Sequence, residues 1–473
     1  MTKNYQVRIG IEIHLELNTK TKMFSGSPVD FAAEPNTLIN EIDLGYPGTL
    51  PTVNQAAVEK AIQLAKALEM QLADQLKFDR KNYFYPDLPK GYQITQQFEP
   101  IATKGILHLG NEKKVRITRI HLEEDTARSH HQGELTLLDY NRAGVPLIEI
   151  VSEPDLSSAQ EAHEYVNLIR LIAQTLNISD AKMEEGSLRA DINISLNKPQ
   201  SDGYGTKVEI KNLNSLQNIL KAVEFETQVQ TKTLDSGQKV VQATKRFDEA
   251  SGQTVTMREK TAAIDYKYFA EPNIPPIKLD RAWVEQIKIA ELPWQKRSRY
   301  QKLGVEPQYI EQLVSSPDKA LYFDAVNFNN HQQGARLFFS HLMALANYQN
   351  RGLANLKIKP TEFGELVKLV SQGDLPIAQL KPTLIKLDQG QTTFDQVVKE
   401  SRAREKLDQG QISAIIKKTV LANREFIGKN SDKPDKVANF LVGQIMRETR
   451  GQADAKMLSE LVRLELKTNV QKK

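Results

Sequence analysis

The sequence contains no cysteine. That removes disulfides, thiolate zinc sites and thiol nucleophiles together, so this chain cannot hydrolyse glutamine through a cysteine. Nitrogen for any amide-forming reaction has to come from elsewhere. No apolar run approaches the roughly 18 residues that a membrane-spanning helix needs. The opening residues MTKNYQVRIGIEIH carry neither a signal-peptide nor a transit pattern, which sets the expectation of a cytoplasmic chain. Also missing are a G-x-x-x-x-G-K-[ST] loop, a protein-kinase signature set and a Gly/Ser-rich nucleophile loop of the GGSSGG kind. Any nucleotide site is therefore of another type, and a stand-alone amidase is disfavoured.

What is present describes a globular protein. With 473 residues, 40% hydrophobic and 26% charged, the chain is too long for one ordinary core, and two or three domains are expected. The net charge of +4 is unevenly placed: residues 411–473 hold 13 Lys/Arg against 7 Asp/Glu, which leaves the preceding part slightly acidic. A basic C-terminal segment suits a polyanion such as tRNA, although charged helices also simply solvate well.

Residues 1 to about 290 mix alternating strands, Gly/Pro turns and a few helices. The segment Tyr5–Leu17 alternates as a half-buried strand does, with Arg8, Gly10, Glu12, His14 and Glu16 opposite an apolar face. Ala57, Val58, Ala61, Ile62, Ala65 and Leu68 share one helical face. A second helical pattern covers 155–176. Texture changes at Glu271-Pro-Asn-Ile-Pro-Pro-Ile277 and again after Glu291-Leu-Pro-Trp294. Helices are then predicted over 335–348, 361–372, 376–387 and 392–403. Beyond a break at Leu407-Asp-Gln-Gly410 three more follow, at 411–427, 434–449 and 453–467. These breaks divide the chain into 1–292, 293–408 and 409–473.

Several clusters can carry chemistry. Glu12 and His14, two apart on a strand, can face one cation, or the face is merely wet. Arg119-Ile-His121-Leu-Glu123-Glu124-Asp125 gathers three carboxylates and an imidazole. Alternation puts His121, Glu123 and Asp125 together, but a strand-end twist can reverse that, so Glu123 and Glu124 both stay open as the inward residue. In Pro146-Leu-Ile-Glu149-Ile-Val151 a carboxylate sits inside an apolar run; buried, it requires a cation or strong donors. Arg142 in the turn Asp139-Tyr-Asn-Arg-Ala-Gly144 can hold a phosphate or carboxylate in a bidentate fork. Arg189, Asp191 and Asn193 line one side of another strand. Oxygen donors with one imidazole favour Mg²⁺ or Mn²⁺ over structural zinc, and Mg²⁺ sites commonly recruit substrate phosphates. Lys77–Tyr92 interleaves Lys/Arg with aromatics, offering cations and rings, or an ordered loop with core-packed aromatics.

At these residues the chain resembles the GatB family of the bacterial glutamyl/aspartyl-tRNA amidotransferases, essentially end to end. The motifs are Leu138-Asp-Tyr-Asn-Arg-Ala-Gly-Val-Pro-Leu-Ile-Glu-Ile-Val-Ser-Glu-Pro-Asp155, Lys77-Phe-Asp-Arg-Lys-Asn-Tyr-Phe-Tyr-Pro-Asp87, Lys182–Arg189, Glu209–Asn214, Asn439–Met446 and Gly451-Gln-Ala. The resemblance implies an α+β protein. Its N-terminal cradle domain (1–292) has a mixed, largely antiparallel sheet with helices and a kinase-like Mg²⁺/ATP site. A helical domain (293–408) and a three-helix basic tail for tRNA (409–473) follow. It further implies ATP and Mg²⁺ as cofactors, and a heterotrimer with an amidase subunit (GatA) and a small subunit (GatC). The implied substrates are Glu-tRNA(Gln) and Asp-tRNA(Asn). Carried over, Glu12, His14, Glu123, Glu124 and Glu149 look like the Mg²⁺-binding group, and Lys81 marks where ammonia arrives. Arg142, Arg189 and Asp191 are the expected cofactor contacts. Two rivals stand beside this: an Mg²⁺-dependent phosphohydrolase and a non-catalytic tRNA scaffold. One departure concerns the stretch before Pro47-Gly-Thr-Leu-Pro51. Many relatives carry a Cys pair there, whereas this chain has Asn40-Glu41-Ile42-Asp43, so a zinc site is not implied at that place.

Overall fold

The computed structural model describes residues 5–470 except 111, 200, 202, 260–264, 404–408, 431–432 and 450–454. Contacts divide the chain into two units, Met1–Pro293 and Trp294–Lys473. The first is built on a sheet that counts nine strands among the described residues. In chain order these are β1 (Gln6–Glu16), β2 (Gln71–Leu72), β3 (Ala102–His108), β4 (Lys114–Glu124), β5 (Pro146–Ser152), β6 (Leu188–Asn197), β7 (Val208–Lys211), β8 (Ala243–Asp248) and β9 (Gln253–Glu259). Their order across the sheet is β9-β8-β7-β6-β1-β5-β4-β3-β2. The β7/β8 pair is parallel and the other pairs are antiparallel, so the sheet is mixed but mostly antiparallel. The α+β expectation is met.

The first strand shows why the sequence folds this way. Its alternating Ile9, Ile11, Ile13 and Leu15 are fully buried on one face. Helices α1 (Gln55–Ala67), α2 (Ala159–Thr175) and α3 (Leu216–Asp235) supply residues to the same core, among them Ala61, Ile62, Tyr165, Ile169, Ile219 and Ala222. Each helix starts at a capping side chain, Asn54, Ser158 and Ser215, which accepts a backbone N–H from the first turn. Such a cap contributes about 1 kcal/mol. The helical pattern at 155–176 accordingly starts only at Ala159, because Ser158 is extended and caps it. With one face committed to the core, a one-residue slip of β1 would drive Glu12 and His14 into it. Register is thereby fixed, and the other face is left for polar side chains.

A small sheet of Asp79–Asn82, Tyr92–Thr95 and Phe269–Ala270 reaches the C-terminal end of β4. Gln93 donates to the Glu124 carbonyl (2.6 Å), and Gln96 accepts the Leu122 N–H (3.0 Å). The turn before β5 is tied to the start of the chain: Met23 N–H donates to the Gly144 carbonyl at 2.7 Å. Gly144 has φ +86°, and a Cβ there would meet Lys22 at 3.2 Å and Asp43 at 3.3 Å, so glycine is required. Behind it lies a closed polar group. The fully buried Lys22 ammonium donates to Asp43 at 3.2 Å; Ser25 and Ser27 each donate to the same carboxylate at 2.6 Å, and the Asn40 N–H at 3.0 Å.

The second unit is helical and holds two cores. One gathers Tyr300, Phe323, Phe338, Phe363 and Leu384; the other gathers Ile412, Ile416, Leu441, Ile445, Leu458 and Val462. Predicted helices 361–372, 376–387, 392–403 and 434–449 match Pro360–Ser371, Ile377–Gln389, Phe394–Arg402 and Pro434–Glu448. Two differ. The 335–348 helix contains a π-helical turn at Phe338–Leu342, and 411–427 is interrupted at Asn423. There the Asn423 side chain donates to the Thr419 carbonyl and to Gln444, local bonds that compete with helix continuation. The break at 407–410 and the Gly451-Gln-Ala motif fall partly or wholly outside the described residues.

Candidate active site

The polar face of the sheet is organised in rows set by register. One row runs His121, Glu149, His14, Arg189 across β4, β5, β1 and β6; the next runs Arg119, Val151, Glu12, Asp191. In the first row the His14 Nε2 lies 3.5 Å from a Glu123 oxygen and 3.7 Å from a Glu149 oxygen. One ligand atom from each of His14, Glu123 and Glu149 falls within 4.8 Å of the others, a set able to hold a metal ion. Ligands about 2.1 Å from an octahedral Mg²⁺ lie about 3.0–4.2 Å apart, so both separations fit. The two carboxylates match the oxygen preference of Mg²⁺ or Mn²⁺, whereas the imidazole suits softer divalent metals as well.

Electrostatics keeps the carboxylates ionised. His121, buried beneath them, meets Glu149 at 3.0 Å and Glu123 at 3.6 Å. Burial works against its positive charge, but the two carboxylates outweigh it and push its pKa up to about 9. In turn, burial favours protonation of Glu149, yet the His121 imidazolium prevails and holds it far below the usual carboxylate range. Glu123 follows the same balance: burial raises it, the His121 hydrogen bond lowers it, and it ends below its ordinary value. A cluster with two negative charges against one positive is receptive to a divalent cation. The Nδ1 of His121 is buried with no hydrogen-bond partner among the described residues.

The walls are aromatic. Tyr83 and Tyr266 meet edge to face at 5.8 Å, Tyr266 and Tyr268 at 6.0 Å, and Phe98 and Tyr268 at 6.3 Å. Burial first, then the nearby Glu123, raises Tyr83; burial, Tyr266 and Glu149 push Tyr268 up to about 12. Both phenols are therefore neutral. The Lys81 ammonium lies 4.9 Å from the Tyr266 ring centroid and 5.6 Å from that of Tyr83, and its charge helps to lower Glu149.

The family described as the GatB/GatE catalytic domain matches residues 7–285, which span this whole sheet and its polar face, and the one described as the GatB domain matches 321–466. The chain belongs to the GatB family. It is 47% identical over 465 residues to the B subunit of an aspartyl/glutamyl-tRNA(Asn/Gln) amidotransferase from Mycoplasmopsis agalactiae, covering 97% of this chain and 98% of that one. Similar proteins of the same name occur in Mycoplasmopsis pulmonis (47% over 463 residues; 97% and 98% covered) and Lysinibacillus sphaericus (39% over 471; 98% and 99%).

Set against the GatB resemblance, the sequence-predicted residues separate into groups. His14, Glu123 and Glu149 converge. Glu12 lies one row away and accepts from Asn193 at 2.9 Å. Glu124 turns to the other side, where Lys90 and the Ile94 N–H (3.0 Å) hold it, while Thr95 reaches Glu123 at 3.3 Å. Arg142 is engaged by Glu16, by Asp125 (3.0 Å) and by the Gly186 carbonyl (3.0 Å); burial, then Arg189, lowers its pKa to about 10. Arg189 shares Asp125 at 3.0 Å, and Asp191 pairs with Lys211. Four participants were not assigned from sequence: His121, Tyr266, Tyr268 and Arg119. Alternation along β4 placed His121 beside Glu123, a usable signal, and the same alternation extends back to Arg119. The tyrosines come from a distant segment with no such pattern.

Proposed function

We propose that the chain is the tRNA-binding, carboxylate-activating subunit of a cytoplasmic aspartyl/glutamyl-tRNA amidotransferase. It acts as an ATP-dependent carbon–nitrogen ligase that takes ammonia from glutamine through an amidase subunit (GatA), with GatC completing a heterotrimer. The observation that carries this reading is the His14–Glu123–Glu149 donor set, whose two carboxylates are ionised, delivered by three strands and backed by the His121 imidazolium. Full-length similarity to proteins named as such subunits supports it. No helix among the described residues is long and apolar enough to cross a membrane, in keeping with that location. Lys418 and Arg463 are exposed on the basic tail, in surface ion pairs with Glu448 (3.0 Å) and Asp435 (3.1 Å) that tRNA phosphates would replace.

Bound in this donor set, Mg²⁺ would neutralise ATP phosphate charge. The tRNA-linked carboxylate of Glu-tRNA(Gln) or Asp-tRNA(Asn) then forms a bond to the γ-phosphorus as the bond to ADP breaks. Ammonia attacks the resulting acyl carbon; the carbon–oxygen bond to phosphate breaks, and a proton passes from nitrogen to the departing phosphate. The protein contributes positioning and charge. His121 orients Glu149, the neutral tyrosines exclude water, and Lys81 lies on the wall where ammonia enters. A cavity of about 300 Å³ beside Glu12, rimmed by Arg8, Asn193, Tyr204 and Lys207, offers room for the nucleoside.

Reconstitution with the amidase partner on mischarged tRNA tests this. Glu149→Ala should retain tRNA binding but lower ATP-dependent phosphorylation roughly 10³-fold, the order seen when charge stabilisation is removed. Undiminished phosphorylation would remove the role proposed for the cluster.

A further inference from the structure

Most cations on the polar face of the sheet are spoken for. Arg142 and Arg189 are held by Glu16 and Asp125, Lys211 by Asp191 and Glu209, and Arg116 by Asp155 at 2.7 Å. Arg119 is different. It forms no ion pair among the described residues, and its Nε is buried with no hydrogen-bond partner. A buried donor left unmade costs about 1–3 kcal/mol, so such a group is retained where something else satisfies it.

Its position says what that is. Arg119 pairs across the sheet with Val151, next along β4 from the His121–Glu149 pair on the same face. Val151 in turn lines the cavity beside Glu12. Arg119 thus sits one row from the His121–Glu149 pair and opposite a residue of the cavity wall. Lys81 and the tyrosines wall the cluster. Tyr268 feels the Arg119 charge, which lowers its pKa against the rise that burial causes. A ligand with its body in the cavity and its polyanionic end on a divalent ion would run alongside the Val151–Arg119 pair.

We propose that Arg119 is a positioning residue that grips the terminal phosphate of the nucleotide in a bidentate fork, completing the neutralisation that the cation at His14, Glu123 and Glu149 begins. This rests on the preceding reading that the cluster binds Mg²⁺ and the cavity takes ATP. A guanidinium suits the task because its paired N–H groups match two phosphoryl oxygens and it stays charged at any working pH. Phosphate is favoured over the substrate carboxylate because Arg119 pairs across the sheet with Val151, a residue of the cavity wall.

The test uses the full-length chain in its assembled complex and two titrations. One measures Mn²⁺ binding; the other measures a non-hydrolysable ATP analogue with Mg²⁺, both by calorimetry. Arg119→Ala should weaken the analogue roughly 10- to 100-fold while leaving Mn²⁺ affinity within about twofold, as expected for loss of one charge-assisted fork. Arg119→Lys, which keeps the charge and loses the fork, should recover part of the affinity. The apparent KM for ATP should rise and that for charged tRNA should not. Unchanged analogue binding, a rise confined to the tRNA KM, or parallel loss of Mn²⁺ would each overturn the assignment. If the wild-type complex binds Mn²⁺ but no analogue, the phosphate role falls and the metal site survives; if it binds neither, the underlying reading falls first.

Discussion

Two polar clusters in the first unit look alike in composition and differ in completion. Around Asp43, a buried ammonium, two hydroxyls and a backbone N–H all converge on one carboxylate, each with a bond made. Around Glu149, two carboxylates and two imidazoles face one another, and the His121 Nδ1 and the nearby Arg119 Nε have no partner. A closed network rigidifies, whereas buried donors left unmade call for a separate explanation. The same residue types thus form a closed network in one place and an open one in the other, and what separates them is the count of unmade bonds among the described residues.

That contrast can be broken in graded steps. The largest effect is expected for Asp43→Ala, which strands the Lys22 ammonium in the interior. About 3–5 kcal/mol of stability should go, read as a lowered midpoint in urea, because a buried charge has lost its partner. Mn²⁺ binding by the fraction still folded should be unaffected. Next comes the metal itself: at 100 times its Kd, Mn²⁺ should stabilise the wild type by about 2.7 kcal/mol and Glu149→Ala by almost nothing. Equal stabilisation of both would mean that the open cluster is not where the ion goes. The smallest effect is expected for Lys22→Met, about 1–2 kcal/mol, since Asp43 keeps three donors. A Lys22→Met variant as damaged as Asp43→Ala would show that the ammonium, not the carboxylate, organises the closed cluster.

Much of this was legible in the sequence where a period and a buried face coincide. Alternation in β1 gave the face of Glu12 and His14, and the apolar run around Glu149 pointed to a carboxylate that needs a partner when buried, which the structure supplies as His121. Glu123 and Glu124 could not be told apart, since both sides of the β4 end are covered: the sheet's polar face takes Glu123 and the Tyr92–Thr95 strand takes Glu124, leaving both nearly inaccessible. Arg142 is a lesson in the same vein. An arginine in a polar turn invites a phosphate, but Glu16 and Gly186, far away in sequence, occupy its fork. Only tertiary structure reveals which donors are already used. The break at Asn423 is local in cause, yet a single polar residue in a helical pattern is too common a feature to mark one.

The Asp43 cluster joins residues 22–27 to 40–43 with lysine, serine and aspartate alone, in a chain with no sulfur nucleophile and no thiol metal ligand. Fastened this way, the N-terminal loop is indifferent to oxidants and to chelators. EDTA, which would strip any divalent ion held at the proposed Glu149 site, should leave that fastening in place, so the chelated protein would serve as an apo reference rather than a partly unravelled one.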